Sequence, residues 1–477
     1  MKVVKNYLYN MGYQVLVLLV PLITVPYVAR VLGTRGVGIN DYTYAVVMIF
    51  LLFGQIGVLT YGNREIAYHR DDRMERSKVF WEIEILQAIT ISISYCFFMV
   101  FVHFVATGSR TFFLLQSIMI IAGIFDISWY FMGIEDFKKT VVRNTLVKLT
   151  TTVLTFLIVK TPEDVWKYIL LMAVSQLLGN ITFWPYLKKE VVFVKLSQLS
   201  IFRHFWPTFF LFIPTISIQI YLLVNRIMLG MMDPSGSTAV GIFSQSDKII
   251  KLVLAIVTAT GTVMLPHIAN KFVNGDLKGI KDSLYRSFDF VTAISMPIMF
   301  GIIGVAKQFA PWFLGNGFKA SGIVMIIESP VILLIAWSNV TGKQYLMPVD
   351  RVKDYTVSVT LGAAFNIVCN LAMIKVWGVN GTAFATVISE LVVTVYQFKC
   401  ISNEISVKKL VMNVWRYFIP AFVMSILVCL ISTFWGMSIY KLIIIIFAGM
   451  ITYLMGIMLT KAPIIGQAKD LFHKNLL

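Results

Sequence analysis

Apolar runs of about 18 to 25 residues, each ended by charged residues or by glycine and proline, recur along the whole 477-residue chain. A helix needs about 20 apolar residues to cross the hydrocarbon core of a bilayer, roughly 30 Å thick. Lipid offers the backbone no hydrogen bonds, so only helices or closed barrels span it. The pattern therefore predicts an all-α polytopic membrane protein. Its runs place about fourteen helices, near residues 7–31, 41–61, 80–105, 112–132, 141–159, 166–187, 207–230, 240–264, 287–306, 321–341, 355–375, 379–399, 415–434 and 440–460. Composition agrees: 58% of residues are hydrophobic and only 14% charged, against about 45 to 50% and about 25% in soluble domains. Mean hydropathy is +0.79. The connections left over are short, which leaves no room for an external catalytic domain and argues against a polymerase or a glycosyltransferase.

The net charge of +17 would suit nucleic acid only if a folded polar domain presented a basic face, and no such domain is foreseen. Sorted by side of the membrane, the charge has another meaning. With a cytoplasmic N-terminus, 28 of the 41 Lys and Arg residues fall in the tails and inner loops and 9 in the outer loops. That is the positive-inside asymmetry, with anionic inner-leaflet lipid as its partner, and it puts both termini in the cytoplasm. The apolar run after Lys2 and Lys5 is too long for a signal-peptide core and lacks a good cleavage site, so it is expected to stay as the first helix. Cys96, Cys369, Cys400 and Cys429 show no CxxC spacing, so neither a disulfide framework nor a zinc site is expected.

Weak internal repetition divides the chain. Pro21-Leu22-Ile23-Thr24, Arg30-Val31-Leu32-Gly33 and Gly38-Ile39 recur as Pro214-Thr215-Ile216-Ser217, Arg226-Ile227-Met228-Leu229-Gly230 and Gly241-Ile242. Val174-Ser175-Gln176-Leu177 recurs as Ile388-Ser389-Glu390-Leu391. Six helices separate the copies, so both halves cross the membrane in the same sense about a pseudo-twofold along its normal. The expected division is 1–200 for helices 1–6, 201–405 for helices 7–12, and 406–477 for two further helices and a cytoplasmic tail.

No G-x-x-x-x-G-K-[ST] loop is present to cradle nucleotide phosphates. His69, His103, His204, His267 and His473 lack metal-ligand spacing. Neither an enzyme nor a bound metal or cofactor is expected. What the chain does carry is ionisable residues inside its spans, which are costly there and mark functional paths. Lys148 and Lys251 fall near the middle of their helices, Lys248 lies one turn from Lys251, and Arg226 and Arg30 occupy matching outer ends of helices seven and one. Together they imply a cationic cavity fit for a phosphate-bearing head group, with lysine as a point charge and arginine as a two-pronged donor. A purely structural role competes: snorkelling, or pairing of Lys248 with Asp247 or Ser244 and of Lys148 with Asp126. Asp126, Glu328 and Glu390 are the expected buried acids, as proton or cation relays or as neutral groups tying helices together. Pro21, Pro26 and Pro214 should kink helices one and seven, with or without a gating role.

Several segments together resemble a known family. They are Pro21-Leu22-Ile23-Thr24-Val25-Pro26-Tyr27, Tyr61-Gly62-Asn63-Arg64-Glu65-Ile66-Ala67, and Asp126-Ile127-Ser128-Trp129 through Gly133-Ile134-Glu135-Asp136-Phe137-Lys138. Gly342-Lys343-Gln344 with Pro348, and the pair Asn366 and Asn370, supply the matching loop and helix of the second half. The chain resembles Wzx-type polysaccharide repeat-unit flippases of the multidrug/oligosaccharidyl-lipid/polysaccharide exporter superfamily. That resemblance implies two six-helix bundles plus two helices, and an undecaprenyl-diphosphate-linked oligosaccharide moved from the inner to the outer leaflet. It also implies a bacterial cytoplasmic membrane, basic cavity residues on the diphosphate (Arg64 among them), and a pathway shared with a polymerase and glycosyltransferases. Asn225 stands where the family pattern suggests an acid, which puts a cation role there in doubt. A multidrug antiporter of the same superfamily and a peptidoglycan-precursor flippase are the rival readings.

Overall fold

The computed structural model describes residues 2–106 and 108–467, so His473 and the end of the tail lie outside the described residues. Helices account for nearly all of it, and they fall into two compact units, Met1–Gly230 and Met231–Leu477.

The first unit holds α1 (Lys2–Gln55), α2 (Val58–Tyr68), α3 (Arg73–Phe104), α4 (Arg110–Gln116), α5 (Ile118–Ile124), α6 (Ser128–Gly133), α7 (Phe137–Ile158), α8 (Val165–Ile181), α9 (Trp184–Glu190) and α10 (Phe205–Met232), whose last turn passes the boundary. Helix α1 would be about 80 Å long if straight, far more than one crossing needs. It is divided at Gly33, whose φ of 67° and ψ of 179° are not helical. Pro21 and Pro26 lie inside the helix before that break. Pro214 lies within α10, where its side chain is outside those described. The aromatic core of this unit sets Phe80 of α3 against Trp129 and Tyr130 of α6, with Ile66 of α2 packed in the same cluster. Gly62 makes the approach possible, because a Cβ there would lie 2.6 Å from the Trp129 ring.

The second unit holds α11 (Ser237–Val273), α12 (Leu277–Leu314), α13 (Lys319–Glu328), α14 (Pro330–Ser338), a π-helical stretch (Asn339–Leu346), α15 (Val352–Ile401), α16 (Val407–Val411), α17 (Trp415–Trp435) and α18 (Ile439–Leu459). Helix α15 repeats the device of α1, with a non-helical Gly378 at φ 52°. A side chain at Gly378 would also meet Asp233, 2.5 Å away. The two last helices are anchored on α12: Tyr453 donates to the Ala293 carbonyl at 2.9 Å, and Met424 and Val428 pack beside Met296 and Phe300.

Among the described residues nine helical stretches are long and apolar enough to cross a membrane, or ten if the bent pair Asn316–Glu328 and Pro330–Leu346 forms one span. Two of the nine, Leu19–Tyr68 and Val352–Ile401, run for 50 residues each, length enough for two crossings apiece. The chain is a multi-pass membrane protein.

Backbone geometry repeats between the units as well. Glu135 (φ 59°) and Asp350 (φ 60°) are left-handed non-glycine residues at matching helix ends. Around them Asp136 N donates to Phe131 O at 2.9 Å and Arg351 N to Leu346 O at 2.8 Å, the six-to-one bond that closes a helix over a left-handed residue.

Candidate functional site

The first unit carries Arg30, Arg64, Lys148 and Arg226, and the second carries Lys248 and Lys251. Lys148 sits midway along α7, half-buried, with its Nζ 3.5 Å from the Val17 carbonyl of α1, the outer limit of a hydrogen bond. Among the described residues no carboxylate pairs with it, and Asp126 is occupied elsewhere, accepting from the Ser128 backbone N–H at 3.0 Å. Lys251 does find an acid: Asp247 lies 2.7 Å away, one helical turn before it. Residues four apart share a helix face, which is what lets Asp247 meet Lys251. Arg226 of α10 is near enough for its charge to act on Tyr44 of α1, as does that of Asp41. Arg30 is exposed, three residues before the Gly33 break. Arg64 lies over the rings of Tyr61 and Tyr68 at 5.4 and 6.0 Å and pairs with Glu65 at 3.4 Å.

The three acids expected to be buried are spread over both units. Glu328 is fully buried where α13 meets α14 at a 41° bend. Glu390 is buried on the second half of α15, its charge acting on Tyr355. Asp126 is only half-buried, at the gap between α5 and α6.

That gap was not foreseen, and it organises the first unit. The apolar run 112–132 predicts one helix, but the helix stops at Ile124 and restarts at Ser128. Ala122 O and Gly123 O keep only the weaker bonds of a tightened last turn, from Phe125 N and Asp126 N at 3.2 Å each, and side chains serve these two carbonyls and two more at the gap. Asn180 donates to Ala122 O at 2.6 Å, and Trp184 to Phe125 O at 3.1 Å. Gln87 of α3 serves two, Gly123 O at 2.9 Å and Asp126 O at 3.1 Å. Arg143, also unforeseen, buttresses this network from α7: it donates to Asn180 Oδ1 and to Gly179 O, and stacks over Phe183 at 4.7 Å. An open groove of about 620 Å³ beside it is lined by Lys139, Arg143, Leu146 and Tyr186 among others. Lys139 is already neutralised there by Asp136 at 2.9 Å and Glu190 at 3.8 Å.

A second unforeseen cluster fastens the segment before α10. Glu82 of α3, fully buried, accepts from Ser200 N and Arg203 at 2.6 Å and from His204 Nε2 at 2.8 Å. His204 Nδ1 is 2.7 Å from the Tyr61 hydroxyl. Burial holds the imidazole below its ordinary pKa, although the bond to Glu82 pulls the other way. The signal for both clusters was present in the run Trp81-Glu82-Ile83-Glu84-Ile85-Leu86-Gln87: three polar residues inside an apolar helix, with Glu84 and Gln87 on one face.

Residues 3–272 match the protein family described as polysaccharide biosynthesis protein. A putative O-antigen transporter of Escherichia coli (strain K12) is 24% identical over 81% of this chain and 93% of its own. Among solved structures, the inward closed conformation of the lipid II flippase MurJ superposes with a TM-score of 0.75 at 15% identity, covering 98% of this chain and 99% of that one. An inward-facing multidrug resistance MATE transporter of the MOP superfamily gives 0.56 at 10% identity, over 80% and 98%.

Proposed function

The chain belongs to the polysaccharide biosynthesis protein family, and from that premise we propose that it is a flippase for undecaprenyl-diphosphate-linked oligosaccharide repeat units, moving them from the inner to the outer leaflet of a bacterial cytoplasmic membrane by alternating access. On this reading the protein is not an enzyme. It crosses the bilayer fourteen times with both termini cytoplasmic, its lobes follow the repeat (1–200 and 201–405), and 406–477 is an appendage. The O-antigen transporter likeness supports the substrate class, and polymerase and glycosyltransferases of one pathway are its proposed partners.

One observation carries the chemistry: Lys148 stands half-buried in an apolar span with no carboxylate beside it among the described residues. A buried ammonium without a counter-charge is poor design for a static protein and a good seat for a phosphate. Lys251, Lys248, Arg226, Arg30 and Arg64 are the further proposed phosphate contacts. Glu390, Asp126 and Glu328 are proposed coupling acids, and Pro21, Pro26 and Pro214 gating kinks. A diphosphate carries about two negative charges, and an inside-negative potential of about 100 mV favours their outward movement by roughly 4 to 5 kcal/mol. The potential alone can therefore bias export.

The test is deletion of the gene. Lipid-linked repeat units are expected to accumulate on the cytoplasmic leaflet while surface polysaccharide is lost. Unchanged surface polysaccharide would overturn the reading. Loss of viability from peptidoglycan arrest would favour the precursor flippase instead, and drug sensitivity alone the antiporter.

A further inference from the structure

Glu84 of α3 lies one turn before Gln87, on the same helix face, directed at the gap between α5 and α6. It is 4% exposed, and its Oε2 has no hydrogen-bond partner. Trp129, from the far side of that gap, is 1% exposed, and its indole N–H is likewise without a partner. The Trp129 ring stacks at 5.5 Å on Phe80, which precedes Glu84 by one turn of α3. Among the described residues the one charge that acts on Glu84 is that of Asp126. Of the other groups nearby, Glu82 faces Arg203 and His204, while Tyr130, its hydroxyl without a hydrogen-bond partner, lies among the charges of Arg76, Arg73 and Glu190.

An ionised carboxylate in this place would have an unsatisfied oxygen, a like charge as neighbour and no cation, each of them costly in a water-free interior. The acid form gains an O–H donor and removes the repulsion. The helix is also interrupted here, and its carbonyls at the gap take side-chain donors from α3, α8 and α9. Interrupted spans of this kind, with freed carbonyls, are where transporters place coupling ions.

We propose that Glu84 is a proton-binding carboxyl of the first unit, acting together with Asp126 at the gap between α5 and α6. The enclosed site holds the proton on the Glu84 carboxyl, and opening of the gap to water releases it as hydronium, leaving the carboxylate. The role of this step in export rests on the flippase reading, whereas the proton binding itself does not.

The test is infrared spectroscopy of the full-length protein in lipid nanodiscs, following the carbonyl stretch of protonated carboxyl groups across a pH series. Wild type is expected to show a band that is absent from Glu84→Gln and that fades as pH rises. In Asp126→Asn, which keeps the acceptor for Ser128 N, loss of the like charge should move the midpoint down by about one pH unit, a tenfold weaker hold on the proton. Glu84→Asp should keep a titrating band, and it serves if the glutamine variant does not fold. Identical spectra of wild type and Glu84→Gln between about pH 5 and pH 10 would overturn the proposal, as would a Glu84 band that never titrates in that range. No lipid-linked substrate enters this measurement, so failure of the flippase reading leaves it intact. In cells, Glu84→Gln at wild-type abundance should export at least tenfold less polysaccharide. Undiminished export with a titrating band would remove the coupling role.

Discussion

The two units meet the same problem differently at matching places in the repeat. In the first, the span preceding the left-handed Glu135 is cut at 125–127 and its carbonyls are re-capped by Gln87, Asn180 and Trp184. In the second, the stretch Pro330–Leu346 that precedes the left-handed Asp350 is set off from α13 by a 41° bend but is itself unbroken, widening into a π-helix over Asn339–Leu346. There Gln397 of α15 bonds hydroxyls instead of carbonyls, accepting from Thr341 at 2.6 Å and donating to Ser358 at 2.9 Å. A cut helix leaves backbone groups that side chains must serve, so the first unit depends on particular polar residues. A π-helix keeps its own backbone bonds, and its side-chain contacts are accessory.

Overpacking should separate the units most. A Cβ at Gly62 would lie 2.6 Å from the Trp129 ring, which is fixed by stacking. At Gly342, inside the π-helix, it would lie 2.8 Å from the Tyr355 ring and 2.9 Å from Gln397 Nε2. Gly62→Val should lower stability by about 3 kcal/mol or more, and Gly342→Ala by about 1 to 2. Thermal unfolding followed by fluorescence-detected gel filtration reads both, and comparable losses would erase the contrast.

Removal of the two glutamines sharpens the point. Gln87→Ala takes its side-chain donor from the Asp126 carbonyl and leaves Gly123 O with the Asp126 N–H at 3.2 Å alone, at a total of about 1 to 3 kcal/mol. Gln397→Ala leaves Thr341 bonded to Trp337 O and Ser358 to Tyr355 O, so about 1 kcal/mol is expected. A second unit as sensitive as the first in the same melting assay would contradict this account.

The lysines differ in the same sense. Lys148→Ala removes a cation without a carboxylate and should cut export about tenfold, the effect of about 1.4 kcal/mol, while Lys148→Arg retains most of it. Lys251→Ala instead breaks an ion pair within α11, so its effect should appear first in the melting temperature. Export assays in a deletion strain decide between them, and loss from Lys251→Ala alone would move the phosphate seat to the second unit.

The smallest effect expected is on acid stability. His204 is held below its ordinary pKa when folded, so the unfolded chain binds the proton more readily. The contribution is present above the unfolded value, near pH 6.5, and is lost as pH falls through the folded value. Melting temperature should therefore drop on acidification, and less so in His204→Gln. An identical drop in the variant would assign it to other groups.

Apolar run length alone sufficed to predict a helical, multi-pass membrane protein, because in lipid the backbone has no partner but itself. The left-handed turns at Glu135 and Asp350 lie outside the repeated segments read from the sequence and came to light only in the backbone geometry. What the one-dimensional pattern did not contain was partner choice. Asp247 takes Lys251 through helix periodicity, a relation the sequence permitted but weighed for Lys248. Glu84 and Glu82, two residues apart, differ because one faces the α5–α6 gap and the other faces Arg203 and His204. The run from Phe112 to Met132 carries Asp126 and Ser128 at the gap, but two polar residues do not by themselves announce a broken helix. The gap exists because Gln87, Asn180 and Trp184 come from distant parts of the chain to serve its carbonyls, and only three-dimensional packing brings those donors within 3 Å or so of their acceptors.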